Sequence, residues 1–246
     1  MLKKYINYIF IWVFIVNTVS IIYAEPTNTV QIPINKLSNS PVQTNNVQIQ
    51  AGIHYKKLAD KIRTNVQVQQ LTNQAAGKVQ VIMFFSYGCG VCRRLNEPFD
   101  TWAKQQNKDK VEISKVPVSF NNGWTMLAQA FYTIQILNKS AVMDEIIFAG
   151  IHDEAKPLWQ EDKMEEFLFE RGISRELFKQ TFHSFNVSNK VKWANDLSLA
   201  FELPNIPNII IHGPYGSYIT NLVTTKDLQF LFTVIDHLIQ KELKNK

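Results

Sequence analysis

The two cysteines of the chain, Cys89 and Cys92, are three residues apart, a spacing that lets two sulfurs on one helical turn form and open a disulfide. A buried strand is predicted over residues 79–85 directly before them, and a helix from about Cys89 to Gln106. The first turn of a helix has unpaired N–H groups and positive partial charge, which stabilise a thiolate and lower its pKa. We therefore predict that Cys89 is an exposed nucleophile and that Cys92 is a buried partner, which attacks a mixed disulfide to release the substrate.

The residues around the motif argue against metal binding and covalent haem. A zinc site needs two further ligands at a fitting spacing, but the chain has no third cysteine and its five histidines are scattered. Haem attachment needs a histidine directly after the second cysteine, where this chain has Arg93. An inert structural disulfide is an alternative, although the junction of strand and helix favours thiol chemistry. We expect no metal site and no cofactor other than the Cys89–Cys92 disulfide, with Arg93 and Arg94 adding positive charge nearby.

The motif belongs to a strand–helix–strand unit, because residues 111–116 alternate between apolar and polar types and predict a second strand. Such a unit builds parallel sheets. Residues 121–203 have apolar residues at helical spacing and no strand signal. Strand character returns at residues 208–212, followed by a hairpin and a final helix predicted to start near Thr224 or Thr225. An all-helical domain inserted into an α/β domain accounts for this order.

Nine residues around the motif resemble the active site of the thioredoxin superfamily and are most similar to that of the DsbA family of exported thiol–disulfide oxidoreductases. They are Phe84-Phe85-Ser86-Tyr87-Gly88-Cys89-Gly90-Val91-Cys92. Residues 115–123 resemble the family's next strand and the loop into its helical domain, and Ile206-Pro207 resembles its cis-proline loop. The resemblance extends over roughly residues 52–246. Cys92 and Pro207 are 115 residues apart, more than a bare thioredoxin domain needs, so the insertion indicates DsbA rather than thioredoxin.

The resemblance implies an α/β, thioredoxin-like fold with an inserted all-helical domain. The thioredoxin-like domain would comprise residues 53–120 and 204–246, and the helical insertion residues 121–203. A cis bond is implied between Ile206 and Pro207, which leaves the backbone of Ile206 open to pair with an extended substrate peptide. An ordinary trans proline at the start of a strand is the alternative.

The strand before the motif departs from the family at one position. The resemblance implies that Lys115 pairs with an acid on the strand before the motif, beneath the sulfurs, but the matching position is Met83. A buried carboxylate that could accept a proton from Cys92 is therefore absent at its usual place. The alternative for Lys115 is that its side chain reaches water.

The dipeptide between the cysteines also departs, since Gly90 replaces the usual proline and Val91 the histidine of strongly oxidising members. That histidine favours the thiolate. With Val91 in its place, reduced Cys89 is less stabilised and the enzyme is a weaker oxidant. We expect a redox potential less oxidising than the DsbA extreme.

The N-terminus is typical of a secretory signal. Two lysines precede a run that is uncharged from Tyr5 to Ala24, so residues 1–24 are predicted to be a signal peptide, cleaved after Ala24 or after Ser20. An uncleaved membrane anchor is the alternative, because the run is just long enough to span a bilayer. Residues 25–52 are dense in Asn, Gln, Thr, Ser and Pro and predict a loose polar tether, or alternatively a short docking or dimerising segment.

The composition and the resemblance together limit the function. A charge of +5, from 26 basic and 21 acidic residues, is too small and scattered to indicate nucleic-acid binding. The resemblance implies a periplasmic enzyme that introduces disulfides into reduced or unfolded exported proteins and is regenerated by a DsbB-like membrane reoxidant. A disulfide isomerase or reductase on the same fold, possessing the same motif and dimeric in some cases, is the nearest alternative. A periplasmic chaperone without redox turnover is the other.

Overall fold

The computed structural model describes residues 48–75 and 77–244. The predicted signal peptide (1–24) and most of the predicted tether (25–52) lie outside the described residues. Within residues 48–52, the backbone forms a short bridge between Ala51 and Tyr55.

A five-stranded mixed sheet forms the centre of the part of the chain that the structure describes. Its strands are β1 (Lys56–Lys57), β2 (Val79–Phe85), β3 (Val111–Pro117), β4 (Asn208–His212) and β5 (Ser217–Thr220). The order across the sheet is β1-β5-β4-β2-β3, with β2 parallel to β3 and the other neighbours antiparallel. All residues of β2 and β4 are buried, which explains why their sequences are mostly apolar.

Ten helices surround this sheet in the described residues. They are α1 (Asp60–Arg63), α2 (Val66–Gln74), α3 (Gly90–Lys104), α4 (Asn122–Ile136), α5 (Ser140–His152), α6 (Glu161–Phe169), α7 (Arg175–Phe182), α8 (Phe185–Ala200), α9 (Leu222–Thr225) and α10 (Leu228–Lys244). Five of them, α4 to α8, follow β3 and precede β4, so the described chain has only helices and loops between residues 118 and 207.

Polar caps fix where several of these helices begin. The side chains of Asn121, Ser174 and Ser184 accept hydrogen bonds from backbone N–H groups in the first turns of α4, α7 and α8. The apolar faces of these helices are buried, with Phe131, Ile134, Phe178 and Val191 among the core residues. Helical spacing in the sequence therefore corresponds to one face that packs inward.

The structure corrects the start of the last helix. A helix was expected from near Thr224 or Thr225, but these residues end the short helix α9, and Lys226 then adopts a left-handed conformation with φ of 60°. The long helix begins only at Leu228, where the side chain of Asp227 accepts a hydrogen bond from the N–H of Phe230. Asp227 thus caps α10, which the left-handed residue Lys226 separates from α9.

The two ends of β2 have different neighbours, and this positions the site. At its carboxyl end Phe84 pairs with Asn208, the first residue of β4, and the cysteine motif follows. At its amino end Gln80 pairs with His212, the last residue of β4.

Candidate active site

Cys89 caps the helix that carries the motif. It precedes α3 in an extended conformation, and its Sγ accepts a hydrogen bond from the backbone N–H of Cys92 at 3.3 Å. Cys89 is partly exposed, whereas Cys92 is fully buried, and both are free thiols. The chain therefore presents one sulfur to the outside and stores the other beneath it, one helical turn away.

The surroundings change the acidity of the two thiols in opposite directions. The pKa of Cys89 falls from 9.0 to about 6, chiefly because the Cys92 thiol donates to its sulfur, aided by the N–H groups of Cys92 and Val91 and by the charge of Arg94, which together outweigh partial burial. Burial, and secondarily the neighbouring Cys89, raise the pKa of Cys92 far above its usual range. At neutral pH the dithiol form therefore carries its negative charge on Cys89.

The turn before the motif requires glycine at position 88. A Cβ added to Gly88 would lie 2.6 Å from Nε1 of Trp124, closer than atoms approach without a shift. The indole of Trp124 stacks on the ring of Phe120 with centroids 5.7 Å apart, and Phe120 is exposed. Because Gly88 has no side chain, an aromatic pair from α4 and the loop before it reaches the backbone next to Cys89.

Ile206 and Pro207 lie at the motif end of the sheet, directly before Asn208. The bond between them is cis. Ile206 is partly exposed and Pro207 is buried. In the part of the chain that the structure describes, the backbone N–H and C=O of Ile206 make no hydrogen bond. These two groups are therefore available to an extended peptide at the edge where Cys89 lies.

Comparison with known proteins assigns the family. No protein-family model matches the chain. Over 174 residues it is 30% identical to the thiol:disulfide interchange protein DsbA of Bordetella pertussis, an alignment that covers 71% of this chain and 81% of the relative. The chain belongs to the DsbA family. The DsbA of Azotobacter vinelandii is 29% identical over 166 residues, which cover 68% of this chain and 76% of that relative.

Solved structures agree with this assignment. The crystal structure of Pseudomonas aeruginosa DsbA matches with a TM-score of 0.69 at 25% identity and covers 79% of this chain and 94% of that one. The prediction of an α/β, thioredoxin-like fold is thereby confirmed. Membership of the DsbA family makes the chain a thiol:disulfide oxidoreductase.

Lys115 is paired, but not from the strand position that the DsbA resemblance implied. Its neighbour across β2 and β3 is Met83, which is buried and offers no charge. The Lys115 ammonium instead donates to Asn96 at 2.8 Å, to Asp100 at 2.7 Å and to Asp144 at 3.4 Å. The Lys115 side chain is 11% exposed, so it ends in this cluster and does not extend into water. Carboxylates from α3 and α5 thus occupy the surroundings of Lys115 while Met83 fills the strand position.

This cluster connects to the motif through Tyr87. The Tyr87 hydroxyl, which is buried, donates to the second carboxylate oxygen of Asp144 at 2.7 Å. Burial raises the pKa of Asp144, opposed by the charge of Lys115 and the hydrogen bond from Tyr87. Burial, followed by the negative charge of Asp144, likewise raises the pKa of Tyr87 well above 10.0. Tyr87 therefore stays a phenol that donates, and it connects the residue two before Cys89 to the lysine cluster.

Sequence reasoning identified neither Asp144 nor His152 as a site residue, and both come from α5. Nε2 of His152 lies 2.8 Å from the carbonyl oxygen of Tyr87, and its Cε1 lies 4.0 Å from where a Cβ on Gly90 would be. The only signal in the sequence was the helical spacing within residues 121–203, which predicts helices but not the elements that they contact.

Arg93 holds α5 against the motif helix. Its guanidinium pairs with Glu145 and, at 3.0 Å, with Asp153. Glu145 also accepts a hydrogen bond from Asn96 at 3.1 Å. Arg93 is therefore engaged in fastening two helices, whereas Arg94 is the arginine whose charge favours the Cys89 thiolate.

The described residues contain no cluster of three or more His, Cys, Asp or Glu that could hold a metal ion. Among them, no helix combines the length and the apolar character needed to cross a bilayer.

Proposed function

We propose that this DsbA-family enzyme introduces disulfides into exported proteins, using Cys89 as the sulfur that substrates attack and Cys92 as its buried partner. The observation that carries the proposal is the contrast between the two thiols, because only Cys89 is accessible and only its pKa is lowered, to about 6. A sulfur with a low pKa is a good leaving group, and its thiolate stabilises the reduced enzyme, which makes the disulfide an oxidant.

The proposed cycle balances in two exchange steps. A substrate thiolate attacks Sγ of Cys89 in the Cys89–Cys92 disulfide, the intramolecular S–S bond breaks, and the Cys92 thiolate leaves and takes up a proton. A second thiolate of the substrate then attacks the substrate sulfur of the mixed disulfide, and Cys89 leaves as a thiolate. The substrate has lost two electrons and gained a disulfide, and the enzyme is left as a dithiol.

Ile206 and Pro207 are proposed to align the substrate for the first step. The unpaired backbone groups of Ile206 would bond an extended chain, as an added strand does, without reading its side chains. Such recognition suits an enzyme that accepts many unfolded proteins.

The proposed oxidant is milder than the most oxidising members of the family. Val91 and Gly90 contribute no charge to the dipeptide, and the lowering of the pKa of Cys89 rests on backbone N–H groups, Cys92 and Arg94. Equilibration with glutathione at defined ratios measures the potential, and a value at the DsbA extreme would overturn this part of the proposal.

Export and reoxidation complete the proposal. Residues 1–24 would direct the chain to the periplasm, as a cleaved signal or as a membrane anchor, and disulfides persist there. Because each cycle leaves two electrons on the enzyme, a membrane-bound oxidant of the DsbB type is required to remove them.

Oxidative refolding of reduced ribonuclease tests the proposed direction. The oxidised enzyme is expected to restore ribonuclease activity, while C89S is expected to be inactive because no mixed disulfide can form. The H183Q variant serves as a control, since His183 is exposed and its contact is with Glu161, the first residue of α6. Full activity of C89S would end the enzyme proposal in favour of a chaperone that needs no thiol exchange.

An isomerase or reductase is the second candidate, and the Gly90-Val91 dipeptide favours it because a less stabilised thiolate lowers the oxidising power. Ribonuclease with scrambled disulfides separates the two. Activity equal to that of a known isomerase on this substrate would support the second candidate and contradict an oxidase alone.

A further inference from the structure

His152 is fixed against the turn that precedes Cys89. It is the last residue of α5, and its ring stacks on Phe148, one turn earlier, with centroids 6.2 Å apart and planes at 25°. Phe148 is fully buried and meets the ring of Tyr87 edge-on at 5.0 Å. The imidazole therefore has one face packed on the core, and its edge points to the backbone of Tyr87.

The hydrogen bond of His152 fixes the orientation of one peptide group. A carbonyl oxygen only accepts, so the Nε2–H of His152 donates to Tyr87 O at 2.8 Å. The N–H of the same peptide group, on Gly88, points the opposite way because the peptide is planar and trans, and it donates to Ser86 Oγ at 3.2 Å. With the N–H of Cys89 donating to the Ser86 carbonyl at 3.1 Å, the whole turn is held.

The helix that carries His152, α5, is bonded both to the motif helix α3 and to the turn before Cys89. Arg93 on α3 pairs with two acids that flank His152 in the sequence. They are Glu145 within α5 and Asp153 directly after it. Tyr87 is bonded to α5 a second time, through its hydroxyl and Asp144. The turn before Cys89 is thus held at both its main chain and its side chain by α5.

We propose that His152 is a positioning residue for Cys89, which sets the reactivity of that sulfur from outside the cysteine motif by holding the Tyr87 carbonyl in a hydrogen bond. The inference rests on the proposed function, in which Cys89 is the reactive sulfur. Without the N–H of His152, the partial negative charge of the Tyr87 carbonyl is uncompensated and its peptide group is free to rotate, close to the N–H groups that favour the thiolate. The thiolate would then be less stable, and the disulfide a weaker oxidant.

Three substitutions separate the donor from the ring. H152L keeps the bulk without a donor, H152N has an amide too short to reach Tyr87, and H152Q places an amide N–H close to where Nε2 lies. The thiolate absorbance at 240 nm gives the pKa of Cys89, equilibration with glutathione gives the redox equilibrium constant, and thermal unfolding records whether each variant is folded. H183L, which removes an exposed histidine on the C-terminal end of α7, is the matched control.

H152L and H152N are expected to raise the pKa of Cys89 by about one and to change the glutathione equilibrium constant about tenfold towards a weaker oxidant. H152Q and H183L are expected to stay within about twofold of the wild type. Unchanged values in both donor-free variants would overturn the inference, and so would equal changes in all three His152 variants, because the donor would then be irrelevant. If the wild-type enzyme itself showed no thiol titrating near pH 6, the proposed role of Cys89 would fail instead.

Discussion

Two carboxylates supplied by helices lie buried at opposite ends of the central strands, and they are satisfied in different ways. At the end away from the cysteine motif, the two carboxylate oxygens of Glu242 accept hydrogen bonds from the N–H groups of Tyr215 and Gly216 and from the hydroxyl of Tyr218, at 2.7 to 3.0 Å. At the motif end Asp144 accepts from Tyr87 and faces the ammonium of Lys115.

The difference lies in what each carboxylate is connected to. Glu242 on α10 holds the turn between β4 and β5 through neutral donors, and nothing in that turn belongs to the site. Asp144 belongs to a charged cluster that reaches, through Tyr87, the turn before Cys89. Changes around Glu242 should therefore alter stability without altering thiol chemistry, whereas changes around Asp144 should alter both.

The largest effect is expected from E242A. The substitution leaves three donors without an acceptor, and two of them, the Gly216 N–H and the Tyr218 hydroxyl, are buried, so the free energy of unfolding should fall by about 4 kcal/mol. Urea unfolding measures this, with E170A on an exposed glutamate as the control. A loss no greater than that of E170A would contradict the structural role of Glu242.

The next effect concerns acid stability at the same end of the sheet. Burial, and secondarily the charge of Arg63, lowers the pKa of His212 from 6.5 to about 4. Between about pH 6.5 and pH 4, His212 is therefore protonated in the unfolded chain but neutral in the folded chain. The stability that His212 contributes is complete above pH 6.5 and is lost as the pH falls to about 4. The loss should be about 3 kcal/mol.

Unfolding at pH 7.5 and at pH 4.5 measures this contribution when the wild type is compared with H212Q. The wild type should lose more stability than H212Q between the two values. Parallel losses in wild type and H212Q would show that His212 does not titrate in this way.

At the motif end, the G88A substitution should lower the free energy of unfolding by about 2 kcal/mol, because the new Cβ would lie 2.6 Å from Nε1 of Trp124 and the indole must move. The matched control is G90A, whose Cβ would meet only Cε1 of His152, at 4.0 Å, an ordinary contact. Tryptophan fluorescence together with urea unfolding should separate the two variants. Equal stability of G88A and G90A would mean that the contact between Trp124 and the turn is loose.

The smallest effect is expected from D144N. The amide still accepts from Tyr87, and Lys115 keeps Asp100, so stability should fall by only about 1 kcal/mol. Removing a negative charge near the motif should also lower the pKa of Cys89 slightly. E242Q is the control, and it should leave that pKa unchanged. A change of the pKa of Cys89 in E242Q equal to that in D144N would refute the contrast between the two ends.

The sequence predicted those parts of the molecule that local patterns specify. The mostly apolar run 79–85, the cysteine spacing and the helical periodicity of residues 121–203 all correspond to observed elements. Residues 53–78 gave no such signal, because β1 is only two residues long and α2 is dense in glutamine and asparagine. The start of α10 was misjudged because the pattern cannot reveal the left-handed turn at Lys226.

The partners of the motif were beyond the reach of sequence patterns. Asp144 and His152 are 57 and 65 residues from Tyr87, and only the fold brings them together. The same holds for apolar residues, since Phe167, Phe178 and Phe182 are buried but Phe169 and Phe185 are exposed. Long-range contacts and the orientation of each helix had to come from the structure.

The redox state of Cys89 and Cys92 in living cells tests the central claim most directly. Thiol trapping with an alkylating reagent, followed by separation of oxidised and reduced forms, reports that state without a purified partner. An enzyme that introduces disulfides and is regenerated by a membrane oxidant is predicted to be mostly oxidised. A pair found mostly reduced would contradict that account and identify the chain as an isomerase or reductase.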